Sequence, residues 1–314
     1  MPQSIDLESK ETCELEECID GIAENGFDPN CAESLCNAAM WLRKLTNNRV
    51  FLADLLINRL KRQGRNSALE SGYGPQAIML SPLHNEVFLR ANIWPSERDL
   101  CFQTSGARNF VYGVPHDHNF SFLTSGYLGP GYRSDYYEYD YGAVAGFPGE
   151  DAGLRFIERS ALDQGKIMLY RAHRDIHSQI PPESLSVSLN IMHVDPAQAW
   201  FDQYGFDLEN GEVERVLSPN STEAFLRVAV ASGAEEALDF ADWVGRGHPS
   251  DRLRLASFEA RSAQCTCPSE QSDLWRQAEM SGSRMLQAIA RDRRATLESV
   301  KEHLRPSDQL HPAK

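Results

Sequence analysis

Two histidines one residue apart, in Pro115-His116-Asp117-His118, are the residues of this sequence best suited to chemistry. In an extended chain successive side chains point to opposite sides, so His116 and His118 present two imidazoles to one point while Asp117 faces away. Two neutral imidazoles held that way make half of a metal site, and a third ligand is expected from a later strand. The sequence offers His173 and His177, in Arg171-Ala172-His173-Arg174-Asp175-Ile176-His177. His173 sits in a charged turn, whereas His177 follows Ile176 where a strand resumes. The expected triad is therefore His116, His118 and His177. Three imidazoles do not by themselves identify the ion.

Tyrosines cluster nearby, at Tyr127, Tyr132, Tyr136, Tyr137, Tyr139 and Tyr141. Alternation over residues 135–141 puts Tyr137, Tyr139 and Tyr141 on one face and Tyr136, Glu138 and Asp140 on the other. With the first face inward, Tyr137 and Tyr139 would line a site and orient a substrate. Glu138 is a candidate carboxylate ligand from the opposite face. Other chemistries find no support: no G-x-S-x-G elbow, Walker loop or G-x-G-x-x-G fingerprint occurs. The glycines of Gly126 to Gly131 surround Pro130 and read as a hairpin turn, not a phosphate cradle.

The elements that must position these groups follow from texture. Residues 1–66 read as an acidic helical segment, with Leu15, Ile19 and Ile22 at helical spacing, a break at Phe27-Asp28-Pro29, and further helix through Leu35, Leu42 and Leu45. After a Gly-rich link near Ser67–Pro75, short apolar runs alternate with turn residues to about residue 196, including 77–80, 86–93, 100–103, 110–114, 166–170 and 184–192. Nine or ten strands fit, the number of one barrel. From Asp195 the pattern turns helical again, with runs at 222–231, 235–244 and 251–260 and a long one at 273–302. Asn220 and Glu223 are spaced as a capping box. The expected domains are residues 1–66, 67–196 and 197–305 with a tail at 306–314, and the fold class is α+β, a central β-barrel with helical flanks.

With these elements in view, the central third resembles the cupin superfamily and, within it, the thiol dioxygenases of the cysteine dioxygenase type. The first motif of that family is matched by His116-Asp117-His118, Phe122-Leu123 and Gly126-Tyr127-Leu128. The second is matched by Gly165-Lys166, His177 and Val187-Ser188-Leu189. The resemblance spans about residues 81–196 and implies a double-stranded β-helix with Fe(II) as the metal, with Zn, Mn or Ni as alternatives. No carboxylate lies in residues 119–125, where many cupins carry a glutamate, which agrees with a three-histidine site. Arg90 lies where the family places a carboxylate-binding arginine, and its planar fork suits an anionic group. The implied activity is a dioxygenase reaction of O2 with a small or peptide-like substrate. The alternatives are a ligand-sensing cupin whose helical flanks dock a partner or a second copy, and a non-redox isomerase or hydrolase.

Composition bounds these readings. The 314 residues are 41% apolar and 24% charged, with 31 basic and 45 acidic residues, for a net charge of −14. Such a balance disfavours nucleic acid and anionic membranes as partners. Much of the charge is local: through Met40, ten acidic residues stand against Lys10 alone. No membrane-span or signal-peptide pattern appears, so a cytoplasmic location is expected. Cys13, Cys18, Cys31 and Cys36 form a C-x4-C pair of pairs whose state, as thiols, disulfides or a metal site, the spacing leaves open.

Overall fold

The computed structural model describes residues 1–62, 76–218 and 221–303. The Ser67–Pro75 link, the Asn220 cap and the 306–314 tail lie outside the described residues. The chain divides into two compact units, the first Met1–Val144 with Asp151–Leu217, the second Ala145–Glu150 with Ser218–Lys314.

The first unit begins with strand β1 (Gln3–Ile5) and three helices, α1 (Leu15–Asn25), α2 (Ala32–Asn47) and α3 (Phe51–Arg62). Strands β2 (Ala77–Met79) and β3 (Val87–Trp94) follow. The run at residues 100–103, expected as a strand, is instead the short helix α4 (Leu100–Ser105); an apolar run of four fits either period, and length alone cannot decide it. The remaining strands are β4 (Phe122–Leu128), β5 (Arg133–Glu138), β6 (Arg155–Ala161), β7 (Ile167–Tyr170), β8 (Asp175–Ile180) and β9 (Ser186–His193). A hairpin of β10 (Tyr204–Asp207) and β11 (Glu212–Val216) completes the unit, where helix was expected from Asp195 onward.

These strands pair antiparallel in two main sheets rather than one closed barrel. Six strands run in the order β1-β7-β4-β9-β3-β2, and three in the order β6-β5-β8. The central strands of the larger sheet are buried on both faces, which explains their nearly unbroken apolar runs. On one face Leu89, Ala91, Leu123, Ile167, Leu169, Val187, Leu189 and Ile191 pack with Leu15, Ile22, Leu42, Leu45 and Phe51 of the helices. The opposite face meets the smaller sheet in a second, aromatic cluster that holds Phe88, Trp94, Phe122, Tyr132, Tyr136, Met168, Tyr170 and Met192. The helices α1 to α3 thus cover the outer face of the larger sheet, and the space between the sheets is left to aromatic and polar groups.

The second unit is helical, with α5 (Ser221–Ala231), α6 (Glu235–Gly247), α7 (Asp251–Ser262), α8 (Pro268–Glu279) and α9 (Arg284–His303). Leu226, Val230, Ala241 and Val244 pack with Leu253 and Ala260, and Phe258 packs with Trp275 and Leu286. The helix expected over 273–302 is broken after Glu279, where Gly282 takes a φ of 82°, a conformation that glycine accepts without strain. Among the described residues no helix is long and apolar enough to cross a membrane. The four N-terminal cysteines are free thiols, Cys13 and Cys18 buried, Cys31 and Cys36 exposed.

Candidate metal centre

His116, His118 and His177 come together between the sheets and form the one group of three His, Cys, Asp or Glu side chains among the described residues that could share a metal ion. Local structure makes this convergence. The segment around His116 is not part of a long strand; it runs extended between β8 and β10, bridged to His177 on one side and to Gly205 on the other. The His116 N–H donates to the His177 carbonyl at 3.1 Å, and the His177 N–H donates back to the His116 carbonyl at 3.0 Å. The two backbones are thereby locked side by side, and the alternation expected of His116 and His118 holds.

Asp117, facing the other way, fastens this segment. Its carboxylate accepts from the Tyr204 N–H at 2.7 Å and from the Tyr139 hydroxyl at 2.5 Å. Burial raises its pKa to about 7, against the lowering effect of those hydrogen bonds. The β10 strand, absent from the sequence-based expectation, is therefore the clamp on the His-x-His segment.

The ring nitrogens have the geometry of a shared ligand shell. His177 Nε2 lies 3.1 Å from His118 Nε2 and 3.2 Å from His116 Nε2. Nitrogens each about 2.0–2.1 Å from one ion would stand roughly 2.9 Å apart at right angles and roughly 3.3 Å apart at tetrahedral angles. Both observed separations fall in that interval. Burial lowers the pKa of all three rings, with the nearby His116 and His177 and the Arg90 charge adding to the effect at His118. The rings are thus neutral, as metal ligation requires. His116 is also fixed as a tautomer: its Nδ1 lies 2.7 Å from the Val114 carbonyl, which can only accept, so the proton is on Nδ1 and the Nε2 lone pair is free. His118 is wedged between Phe120 and Phe122, with ring centroids 4.9 and 5.0 Å away.

Of the two later histidines, His177 joins the cluster and His173 does not. His173 occupies a left-handed turn at φ 59°, and its ring packs 4.2 Å from Tyr141 and 5.2 Å from Phe201. It contributes through its backbone, donating to the His118 carbonyl at 2.7 Å.

The tyrosine face differs from the expectation. Register places Tyr136 opposite His177 and Tyr137 opposite Ile176, so Tyr136 shares the histidine face. Tyr136 is fully buried, and its hydroxyl lies 2.9 Å from that of Tyr170, whose ring stands 4.9 Å from His177. Desolvation keeps both phenols protonated, pushing Tyr136 up to about 12. Tyr137 and Tyr139 lie on the other face with Ile176, Tyr204 and Phe206; Tyr137 packs on Phe156, and Tyr139 acts through Asp117. Alternation alone separated Tyr136 from Tyr137 and Tyr139 but did not tell which face is inward. Glu138 is bound into ion pairs with the N-terminal amine, Arg155 and Arg171, away from the histidines.

Arg90 stands on β3 opposite Asn190 of β9, which is itself opposite Thr124 of β4, so the three side chains form a row on the inner face of the larger sheet. The Arg90 charge is close enough to depress His118. Thr124 and Asn190 are 1% and 2% exposed, yet Thr124 Oγ1 and Asn190 Nδ2 have no hydrogen-bond partner. Two further site residues were missed by sequence reasoning, Tyr170 and Gln179. Gln179 was accessible to it, being two residues beyond His177 on the same strand; Tyr170 depended on a register that only the folded sheet reveals.

No family model matches the chain, and no curated protein matches it. Among solved structures it is similar to the DMSP lyases RdDddP and RnDddQII (13% identity over 42% of this chain and 52% of that one, TM-score 0.26). It is also similar to a salicylate 1,2-dioxygenase from Pseudaminobacter salicylatoxidans (9% identity over 46% of this chain and 33% of that one, TM-score 0.25). A prolyl-4-hydroxylase from Pseudomonas putida is similar at 15% identity over 57% of this chain and 78% of that one, with a TM-score of 0.20. The chain spans about half the length of the first and a third of the second. With all three scores below 0.5, the histidine geometry alone carries the functional reading.

Proposed function

We propose that this protein is a metal-dependent enzyme of the cupin superfamily, an Fe(II)-dependent oxygenase whose metal is held by His116, His118 and His177. The observation that carries the reading is the meeting of three buried, neutral Nε2 atoms at ligand-shell distances. A ferrous ion with three neutral nitrogen ligands would supply oxygen activation and open positions for substrate and O2. The chain's own part is positioning. Val114 fixes the His116 tautomer and Asp117 anchors the segment. Phe120, Phe122 and Tyr170 surround the rings with apolar walls that limit water.

Arg90, Asn190 and Thr124 are the groups for the substrate. A buried donor without a partner costs about 1–3 kcal/mol, and a ligand carrying an anionic, hydrogen-bonding group such as a carboxylate would satisfy the row while meeting the Arg90 charge. The substrate class is a small or peptide-like molecule with such a group, the Tyr136 and Tyr170 hydroxyls flanking its other end. The test is oxygen uptake by the Fe(II)-loaded protein over a panel of thiols and amino acids, with Arg90→Gln as control. Uptake that depends on substrate and falls in the variant is expected. A panel with tight binding but no uptake would contradict an oxygenase and favour the sensing alternative.

A further inference from the structure

We propose that the side-chain amide of Gln179 is a fourth protein donor to the metal, through its Oε1; this rests on the metal reading above. Gln179 follows His177 by two residues on β8 and so projects from the same face of the strand. It is 4% exposed, and its amide nitrogen lies 3.1 Å from His177 Nε2. That is the separation of His118 Nε2 from the same atom, so the end of the Gln179 side chain stands as close to the His177 ligand nitrogen as a neighbouring imidazole does. Its Oε1 is buried without a hydrogen-bond partner. Strand pairing to Ser134 and a hydrogen bond of 3.0 Å from the Gly113 N–H to the Gln179 carbonyl hold its backbone in place.

Whether the amide can serve as a ligand depends on which of its ends faces inward. With the site empty of a cation, an amide N–H can donate to the His177 Nε2 lone pair. With that lone pair given to a cation, the N–H has no acceptor there and points its positive end at the ion. Half a turn of the amide exchanges nitrogen for oxygen with almost no change of shape. The exchange brings a lone-pair oxygen toward the ion and removes the orphaned acceptor at once. A carboxamide oxygen suits Fe(II), Mn and Zn as a neutral oxygen donor. Three imidazoles and an amide add no negative charge, so the ion keeps its full charge for the substrate. This is a reason, independent of Arg90, for the site to select anions.

The test uses the full chain loaded with Co(II), whose visible bands report coordination number, and chelator competition for affinity. For Gln179→Ala we expect a stronger, shifted visible spectrum, as for a lower coordination number, and Co(II) binding weakened by about 10-fold or more. Gln179→Glu, which restores an oxygen donor and adds a negative charge, should bind Co(II) more tightly than wild type with a spectrum distinct from both. Unchanged spectrum and affinity in Gln179→Ala would overturn the proposal, as would a Gln179→Glu variant as weak as Gln179→Ala. Should the alanine variant not fold, the glutamate variant decides: a spectrum and affinity equal to wild type overturn it, because a carboxylate in the ligand shell must alter both. If the wild-type protein takes up no Co(II), the underlying metal reading fails and this one with it; if it does and only the variants are silent, Gln179 alone is excluded.

Discussion

Strand β9 has two faces built from one stretch of eight residues, and they serve opposite ends. Val187, Leu189 and Ile191 lock into the aliphatic cluster shared with the helices, whereas Ser188, Asn190 and Met192 face the aromatic, polar space that holds the histidines. On β9 the first face is wholly aliphatic, although Ser125 Oγ of β4 on the same side of the sheet and Thr46 Oγ1 of α2 also lack a partner. On the second, Asn190 Nδ2 is an orphan, as is Thr124 Oγ1 on the neighbouring strand. Along β9 itself aliphatic packing thus lies on the helix side and unmet hydrogen-bonding capacity on the other, a separation between scaffold and binding site within one strand.

That contrast can be broken in four places. The largest effect is expected at the histidines: His118→Ala should abolish metal binding, measured as metal content after loading and desalting, with the fold kept by circular dichroism. Leu189→Ala, on the helix face, should cost about 2–5 kcal/mol in denaturant unfolding while the folded protein binds metal with unchanged affinity. A variant that lost affinity instead would show that the two faces are not separable. Asn190→Leu, on the site face, should behave in reverse. Its stability should change by roughly 1 kcal/mol or less, because an orphaned buried donor is removed, while the affinity for anionic ligands falls. Smallest is Tyr136→Phe, which deletes the 2.9 Å contact with Tyr170; a loss of about 1 kcal/mol is expected, with metal binding intact.

How much of this was legible beforehand differs between the same two faces. The His-x-His pair and His177 were readable because residue type and a spacing of two carry the chemistry with them. The helical flanks were readable from apolar periodicity, apart from the break at Gly282. What the sequence did not disclose depends on pairing between distant segments. Tyr136 rather than Tyr137 faces inward because β5 registers on β8 with Tyr136 opposite His177, and alternation has no sign until that register is known. The β10 strand was hidden because Tyr204 to Asp207 is short and glycine-containing, and its role emerges only where Asp117 accepts from the Tyr204 N–H. The expected closed barrel is, in the folded chain, sheets of six and three strands packed on a shared aromatic cluster, with the short bridges around His116 linking the three-stranded sheet to the β10–β11 hairpin.

In the proposed site three histidines from two distant segments hold one ion. Crystals of the Fe(II)-loaded protein, with anomalous differences collected on either side of the iron absorption edge, test it most directly. One strong peak is expected about 2.0–2.2 Å from the Nε2 atoms of His116, His118 and His177. A loaded crystal with no peak there, or with its iron bound elsewhere such as at the N-terminal cysteines, would contradict it.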